Sequence, residues 1–309
     1  METQNTQGKK YYLYGALLIV VAALLWAADG VIRRSLFSLP PIVIIFYEHL
    51  IGFAIILPFV WKKLFTTKLS RREWILIGVI SLLSGVLGTL FFTTALFRVN
   101  FISFSVVFLL QKLQPIFAIT TARIFLKERL HRSYIIWAVL ALVGAYFVTF
   151  KDGIVSFATG AGTAAAALLA LGAAAAWGSS TTFSKMMLEK RSHNYTTAMR
   201  FLVTTVMAFV FVLFMGKFSA LSTPTVSQFV RFGVIALSTG MVALLIYYKG
   251  LARTPVRVST ILELTFPLVA IIIDKYLYHT TLSSSQLFAA GLLMLSMYRI
   301  AKLQAQHAI

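Results

Sequence analysis

The chain has 309 residues, 59% of them hydrophobic and only 12% charged, with a formal net charge of +19. Soluble domains carry roughly 25% charged residues, so the composition excludes an ordinary soluble domain and points to an all-α polytopic membrane protein. The basic excess is not the footprint of a nucleic-acid partner, because Lys and Arg gather at the ends of apolar runs. Without cysteine there is neither a disulfide framework nor a thiolate metal site.

Crossing a hydrocarbon core of about 30 Å takes about 20 apolar residues. Ten such runs are expected, at 11–32, 42–61, 74–96, 102–122, 133–150, 161–183, 196–215, 230–251, 256–277 and 283–301. Lys9 and Lys10 precede the first run, which is longer than a signal-peptide core and reads as an uncleaved span. The links are short, and spans nearly touch at Asn100 and at Thr254–Pro255. With the N-terminus inside, the cytoplasmic segments hold Lys62, Lys63, Lys68, Arg71, Arg72, Arg123, Lys127, Arg129, Arg132, Lys190 and Arg191 among others, and the outer segments hold far fewer cations. The positive-inside rule therefore places both termini in the cytoplasm and the protein in the inner membrane.

The halves resemble one another. A-A-L-L-W-A-A-D-G from Ala22 matches A-A-A-A-W-G-S-S-T from Ala173, so Trp26 aligns with Trp177, Arg34 with Lys185, and Gln111 with Glu263. Residues 1–152 and 153–309 form the two copies. Five spans per copy is an odd number, so the second copy lies inverted, an arrangement that places a substrate near the midplane.

Polar groups inside the runs are the candidate site. Gln111 and Lys112 lie within F-L-L-Q-K-L-Q-P, ahead of Pro115, and Glu263 lies within I-L-E-L-T-F-P. A charge in mid-span costs at least about 2.5–3.5 kcal/mol on insertion scales, so such groups face a cavity or a partner. On a continuous helix Pro115 shares a face with Gln111, and Ser259 with Glu263; Pro115 also frees a carbonyl near Gln111. Trp26, Trp177, Tyr47, Phe92 and Tyr247 are candidates for stacking on a substrate, or for plain packing. Asp29, Glu48 and His49 are candidates for an outer gate or proton-entry cluster; alternatively, Asp29 pairs with Arg33 one turn away and His49 faces headgroups. The small-residue run Gly160–Ala176 suits close helix packing. Asp274–Lys275 reads as an interfacial pair. No G-x-x-x-x-G-K-S/T loop or H-E-x-x-H motif is present, so neither an ATP-driven pump nor an intramembrane metalloenzyme is expected.

Taken with the span count, several stretches resemble the EamA family of the drug/metabolite transporter superfamily. They are W-x-x-x-G at Trp26–Gly30, A-L-F-R-V-N from Ala95, L-Q-P-I-F-A from Leu113, L-K-E-R-L from Leu126, Y-Y-K-G-L-A-R-T-P from Tyr247 and T-F-P-L from Thr265. The resemblance implies ten spans in two inverted five-helix repeats and secondary transport of a small metabolite, often export of amino acids, without a cofactor. The chain departs from the family where Glu-Pro is replaced by Gln114–Pro115 and Phe266–Pro267, and where Tyr278–His279–Thr280 replaces the second glycine-glutamate corner.

The expectation is therefore an alternating-access carrier in the lipid bilayer, with protons as a coupling ion. Opposite charges at Lys112 and Glu263 suit a zwitterion such as an amino acid. The competing class is a membrane-embedded enzyme acting on a lipid-linked substrate, for which Glu48–His49 is the candidate acid–base pair.

Overall fold

In hydrocarbon every backbone N–H and C=O needs an internal partner, which confines an apolar chain of this kind to helices. The computed structural model describes residues 2–98, 106–155, 163–277, 279 and 281–306, and among them it contains helices and turns but no strand. The first half comprises α1 (Glu2–Arg34), α2 (Pro41–Thr66), α3 (Arg71–Ile80), α4 (Thr89–Arg98), α5 (Val106–Gln111), α6 (Gln114–Phe125) and α7 (Arg132–Thr149). The second comprises α8 (Thr163–Leu188), α9 (His193–Phe214), α10 (Val226–Leu237), α11 (Met241–Leu251), α12 (Val256–Leu262), α13 (Thr265–Leu277) and α14 (Ser284–Gln306).

Among the described residues, eight stretches are long and apolar enough to cross a membrane, and each falls in an expected span. The other two expected spans differ for local reasons. The fourth is divided into α5 and α6, and residues 101–105 at its start lie outside the described residues. The tenth is α14, where Gln286, Arg299 and Lys302 dilute the apolar sequence. The turn at Asn100, the side chains of Arg34 and Asp274, residues 160–162 of the small-residue run, and Tyr278 and Thr280 also lie outside the described residues. Large apolar side chains such as Phe59, Phe214 and Phe288 are largely exposed, as a lipid-facing surface requires.

The halves are built alike in their irregularities. Both third spans start at a capping box, Ser70 with Glu73 and Thr225 with Gln228, which satisfies the first free N–H groups. Both are then interrupted midway. The first passes through a π-helical stretch, Ser81–Gly88, and the second breaks at Ser238–Gly240 between α10 and α11. Both fourth spans are interrupted too, at Lys112–Leu113 and at Glu263–Leu264. The breaks thus set Lys112 opposite Glu263, one residue from the Gln111–Glu263 register that the sequence suggests. The prolines, at the second position of α6 and the third of α13, do not fix where the break falls.

The first helices are exchanged. α1 packs on α11, α12, α13 and α14 of the second half, and α8 packs on α3, α4, α5 and α6 of the first. The counterpart pairs α2–α9 and α7–α14 also pack on each other. Neither half closes its own core: Ile19 and Ala22 of α1 belong to the same buried cluster as Leu251, Ile261 and Leu262.

Polar clamps gather at the end where α2 stops and α3 starts. Arg191 donates to both carboxylate oxygens of Glu73. Lys185 Nζ donates to the terminal carbonyls Leu251 O and Ala252 O. Glu128 accepts from the N–H groups of Val256 and Arg257 and from the Arg257 guanidinium. At the same end α1 and α11 approach through glycine: a Cβ on Gly15 would stand 2.6 Å from Thr254 Oγ1 and 2.7 Å from Arg253 Cβ. Gly15→Val is accordingly expected to lower the melting temperature of the purified protein, an overpacking cost of about 1–3 kcal/mol. Gly78→Ala, with nothing within 4 Å of the added carbon, is the silent control. Equal melting curves for the two variants would contradict the tight crossing.

Candidate functional site: a cavity between the halves

All four interruptions meet at one cavity of about 480 Å³. The π-helical stretch and α4 contribute Ser84, Thr89 and Phe92, and the α5–α6 break contributes Gln111, Lys112, Gln114 and Pro115. The α10–α11 break contributes Thr239 and Gly240, and the α12–α13 break Glu263, Phe266 and Pro267. α1 and α8 face it from the two sides with Trp26 and Trp177, and the lining continues to Phe37, Thr149 and Ile273, at the end away from the clamps. Bent backbone at membrane depth is tolerated where it borders such a space, because water or neighbouring polar groups replace the lost helical bonds.

A chain of neutral donors holds the one carboxylate at the centre. Gln111 Nε2 donates to Gln114 Oε1 (3.2 Å), and Gln114 Nε2 donates to Glu263 Oε2 (3.0 Å). The Tyr247 hydroxyl donates to Glu263 Oε1 (2.6 Å). Both oxygens of Glu263 are thereby occupied by groups from both halves. Lys112 is not part of this chain. Its ammonium lies 4.3 Å from the centre of the Phe266 ring, with no carboxylate or hydrogen-bond acceptor among the described residues. Lys112 and Glu263 therefore share the cavity without pairing.

The aromatic residues form two walls. Trp26 and Tyr247 have ring centroids 5.0 Å apart, and Phe92 and Trp177 5.3 Å apart. The Trp177 indole N–H donates to Ser84 O, a carbonyl in the π-helical stretch (3.3 Å). The close fit has a cause: a Cβ on Gly88 would lie 2.6 Å from the Trp177 ring.

A third group gathers where α1, α2 and the α10–α11 break meet. Arg33 Nε contacts Asp29 Oδ2 at 2.6 Å, and Arg33 Nη1 contacts Glu48 Oε1 at 2.7 Å. The Thr239 hydroxyl donates to Asp29 Oδ1 (2.5 Å). The Asp29–Arg33 pair is thus formed, and it is extended to Glu48. His49 takes a different course: its Nδ1 lies 2.9 Å from Ile45 O and its ring packs on Phe201 at 4.8 Å. Glu48 and His49 both border the cavity, each held by different partners.

Two expected residues sit elsewhere. The Tyr47 hydroxyl donates to Leu221 O (2.6 Å), and its ring packs with Phe229 and Phe232, away from the cavity lining. Ser259 is fully buried and donates to Pro255 O. Glu263 N–H bonds Ser259 O, so the two stand one helical turn apart as expected, but it is the neighbouring Thr260 that borders the cavity. Sequence reasoning passed over Thr239, Tyr248 and above all Arg200, an arginine two turns into the apolar α9. Arg200 donates to Ser84 Oγ (2.6 Å) and to the Tyr248 hydroxyl (2.9 Å). Its signal was the same one that marked Lys112, a charge in mid-span.

Membrane-length helices around a polar, aromatic-walled cavity define a multi-pass membrane transporter of small molecules. The model of the EamA-like transporter family matches residues 13–150 and again 164–301, and the chain belongs to that family. It is 37% identical to the riboflavin transporter ImpX of Fusobacterium nucleatum, over 94% of this chain and 99% of that protein. It is 26% identical to the uncharacterized transporter YwfM of Bacillus subtilis, over 93% of each. A solved crystal structure sharing 18% identity superposes with a TM-score of 0.72, over 95% of this chain and 99% of its own, which shows a common fold.

Removing Arg33 tests the triad. Arg33→Met leaves two neighbouring carboxylates without their cation and is expected to destabilise the protein by about 3–5 kcal/mol. Adding Glu48→Gln is expected to restore part of the lost melting temperature. A double variant no more stable than Arg33→Met would contradict the shared ion pair.

Proposed function

We propose that the protein is a secondary transporter of a neutral, flat heteroaromatic solute of riboflavin's kind. The observation that carries this is the cavity itself, with the Trp26–Tyr247 and Phe92–Trp177 walls and amide groups between them. Its volume lies in the range of about 300–1,000 Å³ that takes drug-sized ligands. Aromatic surfaces bind flat rings by offset stacking, and amides supply hydrogen bonds to ring carbonyls and nitrogens.

Charge balance favours a neutral cargo. Asp29, Glu48 and Glu263 face the cavity against Arg33, Lys112 and Arg200, so the formal charges cancel with His49 neutral. A zwitterionic amino acid, suggested by Lys112 and Glu263 in sequence, fits less well. Its ammonium would have to share Glu263 with Gln114 and Tyr247, which already hold one bond to each carboxylate oxygen. The name of the 37% identical relative also points to riboflavin rather than to an amino acid.

On this reading the chain makes ten crossings, and five per half set the repeats in opposite orientation. Both termini are cytoplasmic in the inner membrane, since the clamped end carries the basic segments. Alternating access exchanges the closed end near Gly15 with the end toward which the cavity extends. Gln111, Lys112, Pro115, Glu263, Trp26, Trp177, Phe92 and Tyr247 contact the solute. The Asp29–Arg33–Glu48 triad carries one more carboxylate than cation and is the natural place for a coupling proton.

Counterflow of labelled riboflavin in proteoliposomes tests this. Uptake is expected, accelerated by an imposed proton gradient and not competed by excess amino acids. Trp177→Ala and Trp26→Ala should each weaken apparent affinity about three- to tenfold, the worth of one aromatic contact. Absence of flavin uptake, or its suppression by an amino acid, would contradict the proposed cargo.

A further inference from the structure

The cavity has a second pole, distinct in chemistry from its aromatic walls. Arg200 Nη2 donates to Ser84 Oγ and Nη1 to the Tyr248 hydroxyl, which in turn lies 2.9 Å from Ser184 Oγ. Arg200 Nε is buried and has no acceptor, and no carboxylate pairs with this guanidinium among the described residues. A buried donor without an acceptor costs about 1–3 kcal/mol, and more on a charged group. Nε itself is sealed from the cavity, but Arg200 borders it, and each Nη carries a second hydrogen that none of these bonds uses and that a ligand oxygen can take.

The neighbouring groups say what kind of oxygen. A guanidinium only donates, whereas the hydroxyls of Ser84, Ser184 and Tyr248 rotate and both donate and accept. A row of alcohols presents the same dual character. Ser84 joins this pole to the ring wall, since its carbonyl accepts the Trp177 indole N–H while its hydroxyl accepts from Arg200. A solute stacked on Trp177 thus places a flexible substituent at Arg200 and its ring edge toward the Gln111–Gln114 amides.

We infer that the hydroxyl cluster around Arg200 is a polyol subsite, which holds the hydroxylated chain of a flavin-like cargo and sets its orientation. The assignment rests on the proposed cargo and adds a specificity-determining role for Arg200, Tyr248, Ser84 and Ser184. A ring carbonyl would not need so many groups that both donate and accept. An anionic group would leave the cavity with a net charge that its side chains do not balance.

The test measures quenching of flavin fluorescence by the purified full chain with three probes. These are riboflavin, lumiflavin (the same ring with a methyl group in place of the polyol chain) and riboflavin 5′-phosphate. The wild type is expected to bind riboflavin about tenfold more tightly than lumiflavin, as one or two extra hydrogen bonds to a charged donor allow. Arg200→Gln should abolish that preference by weakening riboflavin alone. Tyr248→Phe, a smaller change that serves if the first variant does not fold, should narrow it. Equal wild-type affinity for riboflavin and lumiflavin would overturn the polyol subsite and leave the flavin cargo standing. So would equal losses for both probes in the variants, which mark a merely structural role. Tighter binding of the 5′-phosphate, lost in Arg200→Gln, would make the pole an anion site and overturn the inference. Binding of none of the three would overturn the cargo and the subsite together.

Discussion

A helix in hydrocarbon cannot be opened without stranding backbone groups, and each stranded group costs several kcal/mol. In this protein three spans are nonetheless opened by turns and a fourth is loosened into a π-helical stretch, and all four irregularities border one cavity. The polar side chains follow from that placement. Lys112 and Glu263 sit in the turns themselves, Thr239 in the α10–α11 break, and Ser84 in the π-helical stretch. The breaks create the space, and the space makes the charges tolerable.

The exchange of first helices gives this space its walls. Because α1 packs on the second half and α8 on the first, each half supplies one tryptophan to the opposite side. The central hydrogen-bond chain also crosses the boundary, from Gln111 and Gln114 in one half to Glu263 and Tyr247 in the other. Any motion of one half against the other must therefore work through side chains that line the cavity.

Much of this was legible in the sequence, and what escaped has physical causes. Apolar run lengths located the spans, and the Trp26–Trp177 match revealed the duplication. The prolines flagged the fourth and ninth spans as irregular, but the open turn ends two residues ahead of Pro115 and three ahead of Pro267, so the register moved by one residue. The irregular third spans carry no proline at their breaks, and the π-helical stretch follows from tertiary contact, where Gly85 meets Thr204 and Gly88 meets Trp177. For Tyr47 the sequence leaves both stacking and plain packing open, since an aromatic residue in an apolar run does not reveal which side it packs on. Arg200 lies inside the run 196–215, and an arginine two turns into a membrane helix carries the same signal as Lys112.

The central claim is that the cavity at the four breaks is the solute site. An experimental structure of the protein in lipid nanodiscs with saturating riboflavin tests it most directly. The account predicts ring density between the Trp26–Tyr247 and Phe92–Trp177 walls, with its hydroxylated chain toward Arg200. Flavin density at the lipid-facing surface, or a cavity filled by acyl chain while the flavin binds elsewhere, would contradict it.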